Sequence, residues 1–445
     1  MTIRNKGICK LLPALLLAAA TTTAGAQTNG SNSPYSRYGF GLLSDRAGGF
    51  NKGMSGLSYG MRYGNELNTK NPASYSSIDS LSFLFDMGLS LQNANLDQSG
   101  KKVNAKNTSF DYLTMGFRAS KRLGISLGLL PYSTIGYKLT SEDKILDNPT
   151  GNITQTSQFQ GDGGVHEVYA GIGWEPFRKF SVGMNAGYLW GDMSHSILAS
   201  FSDATVNSRR RAYSTDLRTY QLDFGLQYEL PINKNNALTL GLVYSLGHDI
   251  DSKTYYYDQR ISYVSSSSSS VVGDSLSSTG WQLPHSFGAG LVWRHKNSLR
   301  VGVDYSLTKW GDVTSPQLID ADDKVNGFRA AKGYYSDMHK VTVGVEYMKD
   351  PEGLRWRDRV RYRAGFSYTS PYTKVNGQDG PSDYLVSLGV ALPIINYHNN
   401  RSFLNISAQY ERVEPKVAGM IKENYLRLCV GLSFNERWFM KWKVK

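Results

Sequence analysis

The sequence predicts an all-β fold: a 14-stranded antiparallel transmembrane β-barrel with an N-terminal plug segment. Three observations predict it. Apolar and polar residues alternate with period two in fourteen segments, which only strands produce, because successive Cβ atoms point to opposite sides. The connections between those segments alternate between short and long. The 445 residues include 45 Gly and 29 Tyr with 19% charge, and after residue 20 no apolar run approaches the roughly 20 residues of a spanning helix. A hydrophobic fraction of 40%, regularly spaced, also excludes a disordered chain.

The first element is a targeting signal, residues 1–26. Arg4, Lys6 and Lys10 form a basic start, Leu11 to Ala20 an apolar stretch broken by Pro13, and Ala24-Gly25-Ala26 a small-residue cleavage site before Gln27. That order reads as a secretory signal peptide, too short to span a membrane. Cys9 precedes the apolar stretch, which argues against a lipoprotein anchor there, and Cys429 alone would remain, so no intramolecular disulfide is expected. Removing the signal lowers the net charge from +12 to +9. The basic residues are scattered apart from Arg209-Arg210-Arg211, read as a solvated or lipopolysaccharide-facing loop, and no nucleic-acid module is recognisable.

Residues 27–80 do not alternate. Their tyrosines and the Phe40, Leu42, Leu43 cluster favour packing, so they are expected to fold into the lumen as a plug rather than trail as a periplasmic leader. The barrel is expected over 81–434, followed by an aromatic and basic C-terminal segment, 435–445. Its strands are read at 81–92, 109–121, 123–138, 164–176, 179–191, 217–230, 236–248, 281–294, 298–310, 335–348, 358–369, 383–392, 402–412 and 423–434. Leu299, Val301, Val303 and Tyr305, for example, alternate with Arg300, Gly302, Asp304 and Ser306. Short turns fall at Lys121-Arg122 and at 176–178, 231–235, 295–297, 349–357 and 393–401; longer polar loops are expected at 139–163, 192–216, 249–280 and 311–334.

Alternation alone does not say which face is outside. Width decides it: fourteen strands enclose more space than side chains fill, so the polar face should point inward and the apolar face should meet lipid. Trp174, Trp190, Trp281, Trp293 and Trp310 fall at expected strand ends, Trp356 lies in a short turn, and Trp438 and Trp442 follow the last strand. Aromatic girdles at the two interfaces would place them so. The expected location is therefore the bacterial outer membrane, in contact with its lipid and lipopolysaccharide.

In length, strand count and order of segments the chain resembles the FadL-type outer-membrane transporters of long-chain fatty acids and other hydrophobic compounds, including the toluene-uptake proteins. Asn71-Pro72-Ala73 is similar to the family's N-P-A motif at the passage from plug to barrel, and Ser33-Pro34-Tyr35-Ser36-Arg37-Tyr38-Gly39 resembles versions from Bacteroidetes. The C-terminus departs from the pattern, ending Trp442-Lys443-Val444-Lys445 rather than on an aromatic residue. The resemblance implies a kinked third strand with a lateral exit into the membrane. Pro131, followed by Tyr132, occupies an interior strand position where a ladder donor is expected, so it reads either as that kink or as a proline just beyond the hydrocarbon zone. The candidate transport-path residues are thus Asn71, Pro72, Ala73, Pro131 and Tyr132.

The sequence offers little to catalysis. Gly56-Leu57-Ser58-Tyr59-Gly60 and Gly124-Ile125-Ser126-Leu127-Gly128 match G-x-S-x-G, but neither lies in the strand-to-helix context that a nucleophile elbow requires. His166 is the formal candidate for a rim Ser–His pair, with no serine to name. No catalytic residue, metal ligand or cofactor is expected. The leading reading is a passive transporter whose partners are hydrophobic small molecules or lipids. The alternative is a FadL-like barrel acting as a docking or structural component for a secretion or surface-protein system, with a secretion-system partner. A hydrophilic porin ranks third, because a plug argues against it.

Overall fold

The computed structural model describes residues 32–437 apart from 99, 149–150, 204, 263–270, 322–323, 352, 354, 395–401 and 418. The signal peptide, the serines at 265–270, Trp438, Trp442 and most of the C-terminal segment lie outside the described residues. Among the described residues fourteen strands form a closed antiparallel barrel. They are β1 (Ser82–Gln98), β2 (Lys101–Ser120), β3 (Leu123–Asn148), β4 (Gly151–Phe177), β5 (Phe180–Phe201), β6 (Ser208–Pro231) and β7 (Asn236–Ser245), then β8 (Ser286–His295), β9 (Leu299–Thr308), β10 (Met338–Met348), β11 (Arg361–Thr369), β12 (Ser382–Ile394), β13 (Ser402–Glu414) and β14 (Lys422–Arg437). Each pairs with its neighbour, and β1 pairs with β14 from Ser82↔Arg437 to Asp97↔Lys422, which closes the barrel.

The two faces separate as the alternation requires. On β9, Val301, Val303 and Tyr305 are exposed while Asp304 is buried. On β1, Leu89 and Leu91 point outward while Ser82, Leu84, Asp86 and Ser90 are buried. The outer wall is therefore apolar and the inner wall polar, the arrangement a lipid-embedded barrel needs. Burial of the inner face comes from residues 32–80, which lie in the lumen and bond to strands around the circumference: Arg46 to β4 and β6, Ser55 to β12, Ser58 to β9 and Ser33 to β14.

Several expected loops are strands. β3 and β4 form a hairpin that stays paired to Asn148↔Gly151, and β5 and β6 pair as far as Ala199↔Arg209. The expected loops 139–163 and 192–216 are thus mostly ladder, and Arg209-Arg210-Arg211 lies on a strand. Alternation fades there because, above the hydrocarbon zone, both faces meet polar surroundings; backbone pairing continues without it. Likewise His248–Ile261 and Val271–Leu283 extend β7 and β8 beyond breaks at Leu246-Gly247 and Pro284-His285, and Ser315–Ala321 pairs with Lys324–Ala331 in the connection between β9 and β10.

The tryptophans divide. Trp174, Trp293 and Trp356 are exposed, as a girdle requires, and Trp190 is half-buried. Trp281 and Trp310 instead lie inside, their ring centroids 4.9 and 5.5 Å from that of Phe40. A strand end places a residue at a height in the membrane without fixing the face. These two face a lumen filled with aromatic side chains from the N-terminal segment.

Candidate functional site: lumenal segment, cavity and wall seam

Local sequence shapes the lumenal segment into short turns. Ser33 caps the Pro34–Arg37 turn by accepting from the Tyr35 N–H at 3.2 Å, and Asn71 caps the Pro72–Ser77 turn by accepting from the Ala73 N–H, also at 3.2 Å. In both, proline supplies the pre-set φ of a first turn residue. Asn71 also donates Nδ2 to the Tyr59 carbonyl at 2.8 Å and to the Leu226 carbonyl of β6 at 3.3 Å, so one amide joins two parts of the segment to the wall.

This turn rests on bare backbone. A Cβ at Gly183 would sit 2.4 Å from the Pro72 carbonyl carbon, one at Gly173 2.4 Å from the Pro72 oxygen, and one at Gly124 1.9 Å from the Tyr75 oxygen. β3, β4 and β5 thus provide a glycine floor for residues 72–75. Gly183→Val is expected to destabilise the folded barrel by about 1–3 kcal/mol through overpacking. The check is a lower temperature at which the barrel loses its compact electrophoretic mobility; an unchanged temperature would refute the close fit.

Charges that alternation points into the lumen find partners on the segment. Near the short-turn end, Glu66 meets Arg361 and, at 2.9 Å, Arg363; Arg363 reaches Glu346 at 2.7 Å and Asn405 at 2.7 Å, and Arg300 reaches Glu346 at 2.5 Å. Tyr63 lies beneath the guanidinium groups of Arg300 and Arg361, at 4.7 and 5.3 Å. Higher up, Arg46 Nη2 donates to Glu167 at 2.8 Å and Asp223 at 2.7 Å. Asp45 pairs with Lys70 and, at 3.5 Å, with Lys340. Enclosure in the lumen pushes the Asp45 carboxyl up, but Lys340 and Lys70 outweigh it and hold it well below the ordinary carboxylate range.

Between β2 and β3 the wall is incompletely joined. Their ladder runs from Ser120↔Leu123 only to Leu113↔Leu129, whereas β1 and β2 pair to Gln98↔Lys101. Residues 101–112 of β2 have no β3 partner in register. On β3 the register with β4 slips between Pro131 and Ser133, so Tyr132 is the extra residue of a bulge at the point where the ladder stops. The lumenal segment covers part of the freed edge. Leu42–Leu43 forms a two-residue strand in register with Thr134 and Ser133, and the Ser44 N–H donates to the Tyr132 carbonyl at 2.9 Å.

A lumenal cavity of about 650 Å³, lined by residues of most of the strands, reaches this seam. Its lining at the seam includes residues 107–111 of β2, Pro131, Ser133 and Thr134 of β3, and Leu42, Leu43, Asp45 and Arg46 of the lumenal segment. Of the residues expected from sequence, Pro131 lines the cavity and Tyr132 is the bulge residue beside it. Asn71, Pro72 and Ala73 lie against β4 to β6 and are not brought to the seam. Sequence reasoning missed Arg46, Glu167 and Asp223. For Glu167 and Asp223 the available signal was a charge at an inward strand position, which demands a partner; Arg46 lies off any strand.

The two serines of the G-x-S-x-G matches are structural. The Ser58 N–H donates to Asp304 at 2.6 Å, and Ser126 Oγ bonds the Met115 carbonyl at 3.0 Å and the Tyr169 hydroxyl at 2.9 Å. The His166 ring lies tilted against Trp190, 6.0 Å between centroids.

A closed fourteen-stranded barrel holding a folded N-terminal segment is similar in fold to solved toluene transporters and to a FadL homologue. The toluene transporter TodX of Pseudomonas putida superposes with a TM-score of 0.61 at 15% identity, covering 90% of this chain and 100% of that one. The toluene transporter TbuX of Ralstonia pickettii gives 0.60 at 13%, covering 90% and 100%, and a Pseudomonas aeruginosa FadL homologue 0.60 at 12%, covering 88% and 98%. No curated protein matches the chain in sequence. The chain belongs to the BamG family, whose model matches residues 8–445.

Proposed function

We propose that the chain is an outer-membrane passive channel for hydrophobic compounds of the long-chain acyl kind, long-chain fatty acids among them. Residues 27–80 act as its plug, and passengers leave sideways between β2 and β3. The observation that carries this reading is the seam: the lumenal cavity meets the wall where the β2–β3 ladder ends and β3 bulges at Pro131-Tyr132. Sideways release suits such a passenger, because each methylene moved from water into lipid gains about 0.8 kcal/mol. Asn71-Pro72-Ala73 would serve as the fixed foot of the plug, and Pro131 and Tyr132 as the rim of the exit. The alternative docking role would use the same barrel with the seam permanently covered.

The test locks the cover. Leu42 and Thr134 are directly opposed, and Cα separations in such pairs fall within disulfide range. A Leu42→Cys/Thr134→Cys protein is expected to carry labelled acyl compounds into lipid vesicles when reduced and to fall to background when oxidised. Equal uptake in both states would remove lateral release. Absence of uptake in the reduced and unmodified proteins alike would remove the channel reading and leave docking.

A further inference from the structure

The cavity that reaches the seam carries many charges among its apolar side chains. Five cations line it, Arg46, Lys52, Lys70, Lys340 and Arg427, with six carboxylates, Asp45, Asp111, Asp223, Asp383, Glu411 and Glu423. Each cation is already engaged: Lys52 with Asp111 at 2.8 Å, Arg46 with Asp223, Lys70 and Lys340 with Asp45, and Arg427 with Glu411. Glu423 is satisfied by Ser33 Oγ at 2.7 Å and the Tyr425 hydroxyl at 2.6 Å. Much of the remaining lining consists of hydroxyl and amide groups, among them Ser90, Ser109, Ser245, Thr308, Gln92 and Gln409.

An incoming carboxylate would find no unmatched cation among the described lining residues. Seizing one of the paired cations would orphan an enclosed anion, a costly exchange. A neutral head that donates and accepts hydrogen bonds meets no such penalty. The seam beside Pro131 leads apolar length away from these paired charges into lipid. We infer that the cavity receives acyl amphiphiles with an uncharged, hydroxyl- or amide-bearing head in preference to free fatty acids. This rests on the channel reading for the course of the tail and narrows its passenger by the chemistry of the head.

The experiment measures binding of labelled 1-monooleoylglycerol and of oleate to the full-length barrel held in an amphipathic polymer. Monooleoylglycerol is expected to bind at least about tenfold more tightly. Glu411→Gln combined with Asp383→Asn, which removes both carboxylates that act on Arg427, is expected to raise oleate affinity by about tenfold while leaving monooleoylglycerol within about threefold. Retained heat-modifiable mobility checks that the variant is folded. Oleate binding as tightly as the neutral lipid in the unmodified protein would overturn the head-group preference and leave the channel reading standing. Unchanged oleate affinity in a folded Glu411→Gln/Asp383→Asn protein would place the lipid outside this cavity and overturn the inference. Binding of neither lipid would overturn it too, and the disulfide-lock uptake assay judges the channel independently.

Discussion

Arg363→Met is expected to cost about 3–5 kcal/mol and to loosen the short-turn end of the lumen. Arg363 is almost wholly buried and is the hinge of its cluster, donating to Glu66 on the lumenal segment, to Glu346 on β10 and to Asn405 on β13. Methionine fills similar volume but leaves two buried carboxylates short of a partner. Arg361 still reaches Glu66 and Arg300 still reaches Glu346, so the cluster weakens without vanishing. The measurement is the denaturant midpoint for unfolding from lipid vesicles, with protease cleavage within residues 60–70 as the local readout. Arg363→Met combined with Glu346→Leu should be less destabilised than the two single changes added, because the second removes an orphaned charge. An unaltered midpoint in Arg363→Met would mean that the cluster does not hold the segment.

This cluster also marks how far the sequence could be read. Glu346, Arg361 and Arg363 are buried at inward positions of β10 and β11, where a charge demands a partner, yet the sequence reading did not single them out. The partner, Glu66, is 295 residues from Arg361 in sequence and lies in a segment with no periodicity to anchor a register. Nothing local relates the two. The same contrast holds at the seam. Pro131 was legible as a disturbed strand because proline lacks a ladder donor, yet the ladder's end at Leu113↔Leu129 and the cover by Leu42–Leu43 are long-range pairings. Strand starts were legible at the short turns, where hydrocarbon and turn meet abruptly. At the other end β3 to β6 run on beyond the alternating zone, so the pattern stops while the hydrogen bonds do not. Trp281 and Trp310 were misplaced because strand-end position fixes height, whereas their burial depends on Phe40 filling the lumen beside them.

Arg46→Met is the second change with a large expected effect, and it acts on the seam. Two register pairs hold Leu42–Leu43 to β3, and single backbone hydrogen bonds contribute only about 0.5–1.5 kcal/mol each. The stronger fastening is Arg46, just beyond that strand, which bridges Glu167 on β4 and Asp223 on β6. Asp223 keeps Ser245 Oγ at 2.6 Å and Gln221 Nε2 at 2.9 Å after the change. Glu167, with no exposed side-chain surface, loses its cation. A loss of about 3 kcal/mol would raise the population with the cover detached by roughly a hundredfold. Leu43→Cys in the Arg46→Met background should then react with a maleimide far faster than Leu43→Cys alone, and planar-bilayer conductance should rise. Arg46→Lys should fall between, because a point charge cannot span both carboxylates as the guanidinium fork does. Oxidising Leu42→Cys/Thr134→Cys in the Arg46→Met protein should return conductance to the closed level. Equal labelling rates with and without Arg46 would show that the ion pairs stabilise the barrel without fastening the cover, and the seam would have to open by another hinge.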